Sequence, residues 1–161
     1  GRLDVKAGSL GVRLGLEAVN RYESYMVNTI DQAGDMIRAV GGKNLFIHID
    51  TFHANIEESD IAGAVARNAG LIGYVHVAEN TRGSVGCGSF DFRTLFRALA
   101  RGGYAGGYTI ESFSPSVLGP GIVGAIGLWR QPWDNAEAAA RAALALIEAE
   151  TRAATSASKA W

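Results

Sequence analysis

Four side chains that can bind a metal ion end or follow short apolar runs typical of buried strands. Consecutive members lie roughly 25 to 35 residues apart, which is the length of one strand-helix unit in a barrel of eight such units. The four residues are Glu17, Asp50, His76 and Glu111. Because the parallel strands of a barrel end at one rim, this spacing predicts one metal ligand from each of four strands.

The chemistry of this set follows from its ligand types. Three carboxylates and one imidazole favour Mn²⁺, Mg²⁺ or Co²⁺ in an octahedral shell that leaves room for two oxygens of a substrate or water. A thiolate zinc site is excluded because the chain has a single cysteine, Cys87, which we expect to be a free thiol. Such an ion can hold both oxygens of a vicinal hydroxy-ketone and acidify the carbon-bound proton, which nearby carboxylates can then move. The set is therefore suited to enediolate chemistry.

The elements that must position these side chains alternate between strands and helices. The predicted strands cover residues 12–18, 45–50, 71–77 and 108–113. Predicted helices cover residues 29–40, begin at Asp60 and Asp91, and run from Asp134 to near Glu150. Thr29 and Gln32 are spaced as a capping box, and paired glycines follow two of the helices. This alternation predicts parallel strands joined by right-handed crossovers.

Four strand-helix units make half of an eight-stranded barrel. The predicted fold class is α/β, of the (β/α) TIM-barrel type, with residues 1–150 as a C-terminal half barrel and 151–161 as a polar, flexible tail. An isolated four-stranded sheet would leave two apolar edges unpaired, which folded proteins avoid. We therefore expect an N-terminal half from the same chain or another one, or self-association in its place.

Composition limits the class of protein to which the site can belong. The chain has 161 residues, of which 48% are hydrophobic and 19% charged, as in a single globular domain with a substantial core. A net charge of −1 without a cluster of Lys and Arg argues against nucleic acid as a partner. No apolar run is long enough to cross a membrane, and the first residues do not resemble a signal peptide. The predicted location is cytoplasmic, without membrane attachment.

Around the four ligand positions the sequence resembles the ketose 3-epimerase family. That family includes D-tagatose 3-epimerase and D-psicose 3-epimerase and belongs to the xylose-isomerase-like barrel superfamily of sugar phosphate isomerases and epimerases. The matching stretches are LEAVNRYE at 16–23, DTFHANIEE at 50–58, HVAENTR at 76–82 and IESF at 110–113, with LWR at 128–130. The resemblance covers about residues 11 to 150.

The resemblance implies a metal-dependent isomerase that epimerises a ketose at C3 through a cis-enediolate. All four residues named at the outset match metal ligands of the family, with Mn²⁺ as the expected ion and Mg²⁺ or Co²⁺ as alternatives. Glu17 and Glu111 also match its acid/base pair, which acts on opposite faces of C3. Glu23, His53 and Arg82 match residues that hydrogen-bond substrate oxygens near C1 to C3. Family members are commonly dimers or tetramers, so a homo-oligomer is expected.

Two departures from the family pattern leave the substrate open. The psicose and tagatose enzymes have Glu-Pro-Phe where this chain has Glu-Ser-Phe at 111–113, and Gly-Lys-Gly-His where it has Gly-Cys-Gly-Ser at 86–89. A different ketose, a sugar acid or a sugar attached to an aglycone all remain candidates. The alternative functions are an aldose-ketose isomerase or related sugar lyase with the same enediolate chemistry, and a non-catalytic sugar-binding subunit.

Other polar and aromatic residues in these stretches have simpler interpretations. His48 has the strand parity of Asp50 but lies one layer deeper, so we interpret it as an interior histidine of the barrel. We expect Trp129 to contribute packing rather than a sugar-binding surface. Three further glutamates are expected to be solvated or to lie behind the ligands; they are Glu57, Glu58 and Glu79.

Overall fold

Four parallel strands form one sheet in the order β1-β2-β3-β4 in the computed structural model, which describes residues 1–158. The strands are β1 (Leu14–Glu17), β2 (Leu45–Asp50), β3 (Ile72–Ala78) and β4 (Gly107–Glu111). Their register sets Glu17 beside His48, and Asp50 beside His76. Glu111 lies beside Ala78. The predicted α/β class with parallel strands is confirmed, and β1 and β4 are the edge strands.

Seven α-helices and one 3₁₀ turn connect and flank the strands within the described part of the chain. The helices are α1 (Arg2–Ser9), α2 (Ile30–Val40), α3 (Thr51–Glu57), α4 (Ile61–Asn68), α5 (Phe92–Arg101), α6 (Pro120–Ala125) and α7 (Ala136–Ser158). The 3₁₀ turn, Ala69–Leu71, leads into β3. No helix within residues 1–158 combines the length and the apolar character needed to cross a bilayer.

Local capping signals explain where several helices begin. Thr29 and Gln32 form the predicted capping box at the start of α2, and Gly41 ends this helix in the left-handed conformation with φ of 61°. Asp60 accepts a hydrogen bond from the Gly63 amide at the start of α4. Asp91 caps α5 in the same way, through the Thr94 amide. These starts agree with the sequence-based prediction.

The last helix differs from its prediction at both ends. It begins at Ala136 instead of Asp134, because the side chain of Asn135 caps it by accepting the amide of Ala138. It also continues to Ser158 rather than ending near Glu150, so the segment predicted as a polar tail is helical through that residue. Ala154 is 3% exposed within this segment, which shows that the added turns contribute to the core.

Besides α1, two short helices were not predicted. The chain turns into α3 directly after β2, because Asp50 accepts hydrogen bonds from the amides of Phe52 and His53. Helix α6 lies in the Gly-rich segment after β4, where Pro120 occupies its first turn. The first of these helices affects the site, since it carries His53 beside the end of β2.

Alternation along the strands separates an apolar face from a polar one. The apolar face packs against the helices, and its fully buried strand residues are Ile47, Ile49, Val75 and Val77. On the opposite face of the same strands lie His48, Asp50 and His76, one position out of phase with these apolar residues. The packing of the helix-covered face therefore holds the polar residues in fixed positions at the strand ends.

Candidate metal centre

Three of the predicted ligands meet at the carboxyl ends of β2, β3 and β4. Asp50, His76 and Glu111 offer ligand atoms that all lie within 4.8 Å of one another. Nδ1 of His76 is 2.8 Å from Oε2 of Glu111 and 3.6 Å from Oδ2 of Asp50. Because bonds from an ion to its ligands are roughly 2.0 to 2.6 Å long, two ligands of one ion can lie up to about 5 Å apart. These three side chains fit one cation.

Glu17 reaches the same imidazole from β1. It forms a second group with His48 and His76, whose ligand atoms also lie within 4.8 Å of one another. Oε2 of Glu17 is 4.0 Å from Nδ1 of His48, and Oε1 is 3.8 Å from Nε2 of His53. The other three predicted ligands thus lie around His76, and the mainly oxygen donors of the set suit a hard divalent cation.

The electrostatics of the three closest ligands favour a cation. Burial opposes ionisation of Asp50, but hydrogen bonds with His76, Glu111 and the His53 amide outweigh it and lower the pKa of Asp50 to about 2. Burial, and then the neighbouring Asp50, raise the pKa of Glu111 to about 7, against the attraction of His76. Below about pH 7 the pair formed by Asp50 and Glu111 therefore holds one proton, and a bound cation would offset the repulsion of the two carboxylates once that proton has left.

Burial has opposite effects on Glu17 and His48. It raises the pKa of Glu17, helped by the charge of Asp50 and opposed by His76 and Arg82. It lowers the pKa of His48 to about 4, helped by His76, so this imidazole is neutral near pH 7. A glutamate with a raised pKa is closer to the range in which a carboxyl group can both take and return a proton.

His48 is more closely involved in the site than its sequence-based interpretation implied. Its ring contacts that of His76 edge-to-face, with centroids 4.2 Å apart, and its buried Nε2 has no hydrogen-bond partner within residues 1–158. Its pairing with Glu17 across β1 and β2 brings it to the ligand group. The sequence signal was the spacing of two residues between His48 and Asp50, which places both side chains on the same face of β2.

The three predicted substrate-binding residues form a connected cluster beside Glu17. Nη2 of Arg82 donates to Oε1 of Glu23 at 2.5 Å, and the side-chain amide of Asn20 donates to the same oxygen at 3.0 Å. That amide nitrogen also lies 2.8 Å from Nδ1 of His53. The sequence assigned no role to Asn20, although it is only 1% exposed and connects the other members of the cluster.

Arg82 is held in an unusual conformation. Within the described chain it is the only residue other than glycine with positive φ, at 56°. Left-handed backbone costs such residues about 1 to 2 kcal/mol, and residues of this kind often occur at functional sites. Its amide donates to the carbonyl of Glu79 and its carbonyl accepts from the amide of Phe113, both at 2.8 Å. The guanidinium lies 3.9 Å from the ring centroid of Phe52, so both ends of the residue are fixed.

Glu79 supports the loop that carries Arg82. It is 1% exposed. Of the two positions expected for it, solvated or behind the ligands, the solvated one is wrong. Its carboxylate accepts hydrogen bonds from the amides of Asn80, Gly86 and Phe90 at 3.0 to 3.1 Å. A buried carboxylate with three amide donors is stable. Glu79 therefore organises the loop between β3 and α5 without reaching the ligands.

Glu57 and Glu58 bind neighbouring segments rather than the ligand group. Glu57 accepts hydrogen bonds from the amide and guanidinium of Arg21 at 2.7 to 3.2 Å. Glu58 accepts the amide of Ile30 at 2.7 Å, at the start of α2. Both are thereby used to hold the β1–α2 loop and the first turn of α2 against the end of α3.

Trp129 does not have the packing role that we expected. It is 78% exposed, whereas its neighbour Leu128 is 7% exposed and is the buried apolar residue of this segment. Trp129 lines an open groove together with Thr81, Arg130 and Pro132. Gly127, with φ of 66°, turns the chain just before this segment.

The family is identified by comparison with known proteins. Residues 2–150 match the model of the xylose isomerase-like TIM barrel family, so the chain belongs to that family. It is 46% identical over 143 residues to a ketose 3-epimerase of Arthrobacter globiformis, covering 88% of this chain and 50% of that protein. It is 43% identical over 141 residues to an L-ribulose 3-epimerase of Mesorhizobium japonicum, covering 88% of this chain and 48% of that protein.

A solved structure extends this similarity to the fold. The structure of an L-ribulose 3-epimerase matches with a TM-score of 0.93 and 39% identity, over 98% of this chain and 53% of the other. The resemblance to ketose 3-epimerases predicted from the sequence is confirmed. The chain spans about half the length of the curated relatives it matches, which agrees with the prediction of half a barrel.

Proposed function

We propose that the chain carries the metal-binding and proton-transfer residues of a ketose 3-epimerase. In this proposal Glu17, Asp50, His76 and Glu111 hold one divalent cation, with Mn²⁺ preferred and Mg²⁺ or Co²⁺ as alternatives. The observation that carries the proposal is the approach of all three carboxylates to the ring nitrogens of His76, each within 4.8 Å. The bound ion would polarise the carbonyl and hydroxyl oxygens of the ketose and so acidify the proton at C3.

Glu17 and Glu111 are the proposed acid/base pair. They belong to the two edge strands β1 and β4, so they approach His76 from opposite ends of the sheet. One carboxylate removes the C3 proton as the cis-enediolate forms, and the other, as a carboxylic acid, returns a proton to the opposite face of C3. The raised pKa of each glutamate supports this exchange of roles, because a group that must both take and give protons works best near the ambient pH.

Glu23, His53 and Arg82 are the proposed contacts to the sugar oxygens near C1 to C3. Their connection beside Glu17 supports this assignment, since Nε2 of His53 lies 3.8 Å from a Glu17 oxygen. Arg82 and His53 are 7% and 6% exposed, so substrate bound to them would be largely removed from water. Charged and polar groups in such surroundings orient a ligand strongly, because water competes little for their hydrogen bonds.

The ketose as substrate class comes from the names of the relatives and from the ligand chemistry. Two curated relatives are a ketose 3-epimerase and an L-ribulose 3-epimerase, which supports a ketopentose or ketohexose for this chain. The prediction of a cytoplasmic location stays a prediction, as does that of a homo-oligomer or an N-terminal half as partner. Nucleic acid and membrane are not among the proposed partners.

The test follows hydrogen exchange at individual carbons. The Mn²⁺-loaded protein is incubated in D₂O with L-ribulose, D-fructose and D-psicose, and the sugars are separated from protein and metal before NMR. We expect deuterium at C3 together with the C3 epimer, and loss of both in Glu111→Gln. Exchange at C1 or C2 would instead support an aldose-ketose isomerase. Exchange at no carbon would mean an incomplete barrel or a different substrate, and the N-terminal half would then be supplied. Absence of tight divalent-metal binding would favour a non-catalytic sugar-binding subunit.

A further inference from the structure

Asn20 lies between the proposed acid/base residue Glu17 and the proposed sugar contacts. It follows β1, is 1% exposed, and uses both ends of its side-chain amide. Its Oδ1 accepts the amide of Tyr22 at 2.9 Å. Its Nδ2 donates to Oε1 of Glu23 at 3.0 Å and lies 2.8 Å from Nδ1 of His53. Every polar atom of this buried side chain thus has a partner, as buried amides require.

These contacts determine which nitrogen of His53 carries the proton. A backbone N–H can only donate, so the Tyr22 amide fixes Oδ1 of Asn20 as the acceptor and turns Nδ2 toward His53. The backbone amide of Asn20 also donates to Nδ1 of His53, at 3.2 Å. Nδ1 therefore faces two donors and must be the acceptor nitrogen. A neutral imidazole with this arrangement carries its hydrogen on Nε2.

The consequence lies on the other side of the ring. Nε2 of His53 lies 3.8 Å from Oε1 of Glu17, so its N–H points toward the proposed proton-transfer carboxylate. The same Asn20 amide holds Glu23, whose Oε1 also receives Nη2 of Arg82. One buried amide therefore orients two polar groups that the proposed function assigns to the sugar.

We propose that Asn20 is a positioning residue that keeps His53 in the Nε2–H tautomer and so presents a hydrogen-bond donor to a sugar oxygen beside Glu17. The identity of the ligand rests on the proposed function, whereas the tautomer does not. The alternative tautomer would direct the N–H of Nδ1 against two donors and leave Nε2 without a hydrogen to give. A sugar carbonyl or hydroxyl oxygen would then lose its donor.

The first test measures the tautomer directly. Long-range ¹H–¹⁵N NMR distinguishes protonated from unprotonated ring nitrogens, and the chain has three histidines, which His48→Gln and His76→Gln allow us to assign. In the Mg²⁺-loaded wild-type protein we expect Nε2 of His53 to be protonated and Nδ1 to be unprotonated. A proton on Nδ1 in the wild-type protein would overturn the proposal.

The second test removes the donor while keeping the shape of the side chain. Asn20→Asp places a carboxylate next to Nδ1 of His53, so we expect the ratio of the Nδ1–H to the Nε2–H form to rise about tenfold or more. Asn28→Asp is the matched control, because the Asn28 amide donates to the carbonyls of Val19 and Ser24 in the same loop and is not bonded to His53. An unchanged tautomer in Asn20→Asp would overturn the role of the Asn20 side chain. It would show that the backbone amide of residue 20 alone keeps the hydrogen of His53 on Nε2.

Kinetics provide a separate readout for the substrate contact. In Asn20→Asp we expect KM for the ketose to rise about tenfold, with a smaller change in kcat, because a contact to bound sugar is weakened. A loss of kcat at unchanged KM would overturn the assignment to substrate binding. The NMR measurements need no substrate, so a protein that shows the predicted tautomers but turns over no ketose would refute the proposed function and not the positioning role of Asn20.

Discussion

The affinity for a divalent metal should depend steeply on pH, because one of the proposed ligands, the Glu111 carboxyl beside Asp50, has a raised pKa. Burial, and then the neighbouring Asp50, raise the pKa of Glu111 to about 7. The Glu111 proton must leave before both carboxylates can bind an ion. Metal affinity should therefore be constant well above pH 7 and should fall as the pH drops below it.

The size of the effect follows from the fraction of Glu111 that is ionised. With a pKa of about 7, roughly one molecule in ten has lost the proton at pH 6, so the apparent affinity should be about tenfold weaker there than above pH 8. His76 adds to this trend, because its hydrogen bond with Asp50 and the charge of Glu111 raise its pKa, against the effect of burial. At the acid end of the range the release should therefore exceed one proton per ion.

Isothermal titration with Mn²⁺ or Mg²⁺ between pH 5.5 and 8, in buffers of different ionisation enthalpy, measures both the affinity and the protons released. Glu111→Gln should bind the ion more weakly above pH 7 and release about one proton fewer at pH 6. Glu148→Gln is the control, because Glu148 lies on the surface of α7 and pairs with Arg152 at 3.4 Å. Affinity that is independent of pH over this range, or equal proton release by wild type and Glu111→Gln, would refute this reasoning.

Three further outcomes are expected. Leu95→Ala, at a core position that is 0% exposed, should lower the free energy of unfolding by about 2 to 5 kcal/mol in urea titrations, whereas Leu144→Ala at a half-exposed position should have a much smaller effect. Glu79→Gln should destabilise the loop between β3 and α5, because one buried oxygen that accepts backbone amides becomes a donor; faster amide exchange at Gly86 and Phe90 would show this. Removal of bound metal with EDTA should abolish epimerisation and lower the melting temperature, and re-addition of Mn²⁺ should restore both.

Each of these three outcomes has a result that would contradict it. Equal destabilisation by Leu95→Ala and Leu144→Ala would show that the helix-covered face of the sheet is not the core. Unchanged exchange in Glu79→Gln would mean that the loop is held by other contacts. Full activity in the presence of EDTA would exclude a role for the metal in turnover.

The features that the sequence predicted best are those with a local physical origin. The strand 45–50 matches β2 because an apolar run next to a glycine pair is visible in a short window. Thr29, Asp60 and Asp91 cap the helices for which they were proposed, since capping requires only the next few residues. The four proposed ligand positions come from the same kind of local signal, a polar side chain in or at the end of a short apolar run.

The features that were missed depend on contacts between distant segments. The contact between Asn20 and His53 joins residues that are a whole strand-helix unit apart in the sequence. Glu79 is buried because the chain folds back after β3, so that the amide of Phe90 can donate to the Glu79 carboxylate. α7 was predicted too short because its last turns are rich in Thr and Ser, whereas packing of Ala154 against the core stabilises them. Propensity alone cannot predict such tertiary stabilisation.

Asp50 combines a helix-capping contact with its proposed role as a metal ligand. Its Oδ1 accepts the first amides of α3, while its Oδ2 lies 3.6 Å from His76. The rotamer needed for ligation is therefore already selected when the helix forms, so little side-chain entropy remains to be lost when an ion binds. A longer glutamate could not cap the helix and reach the ion in the same geometry. Side-chain length at this position is thus constrained jointly by backbone architecture and by coordination chemistry.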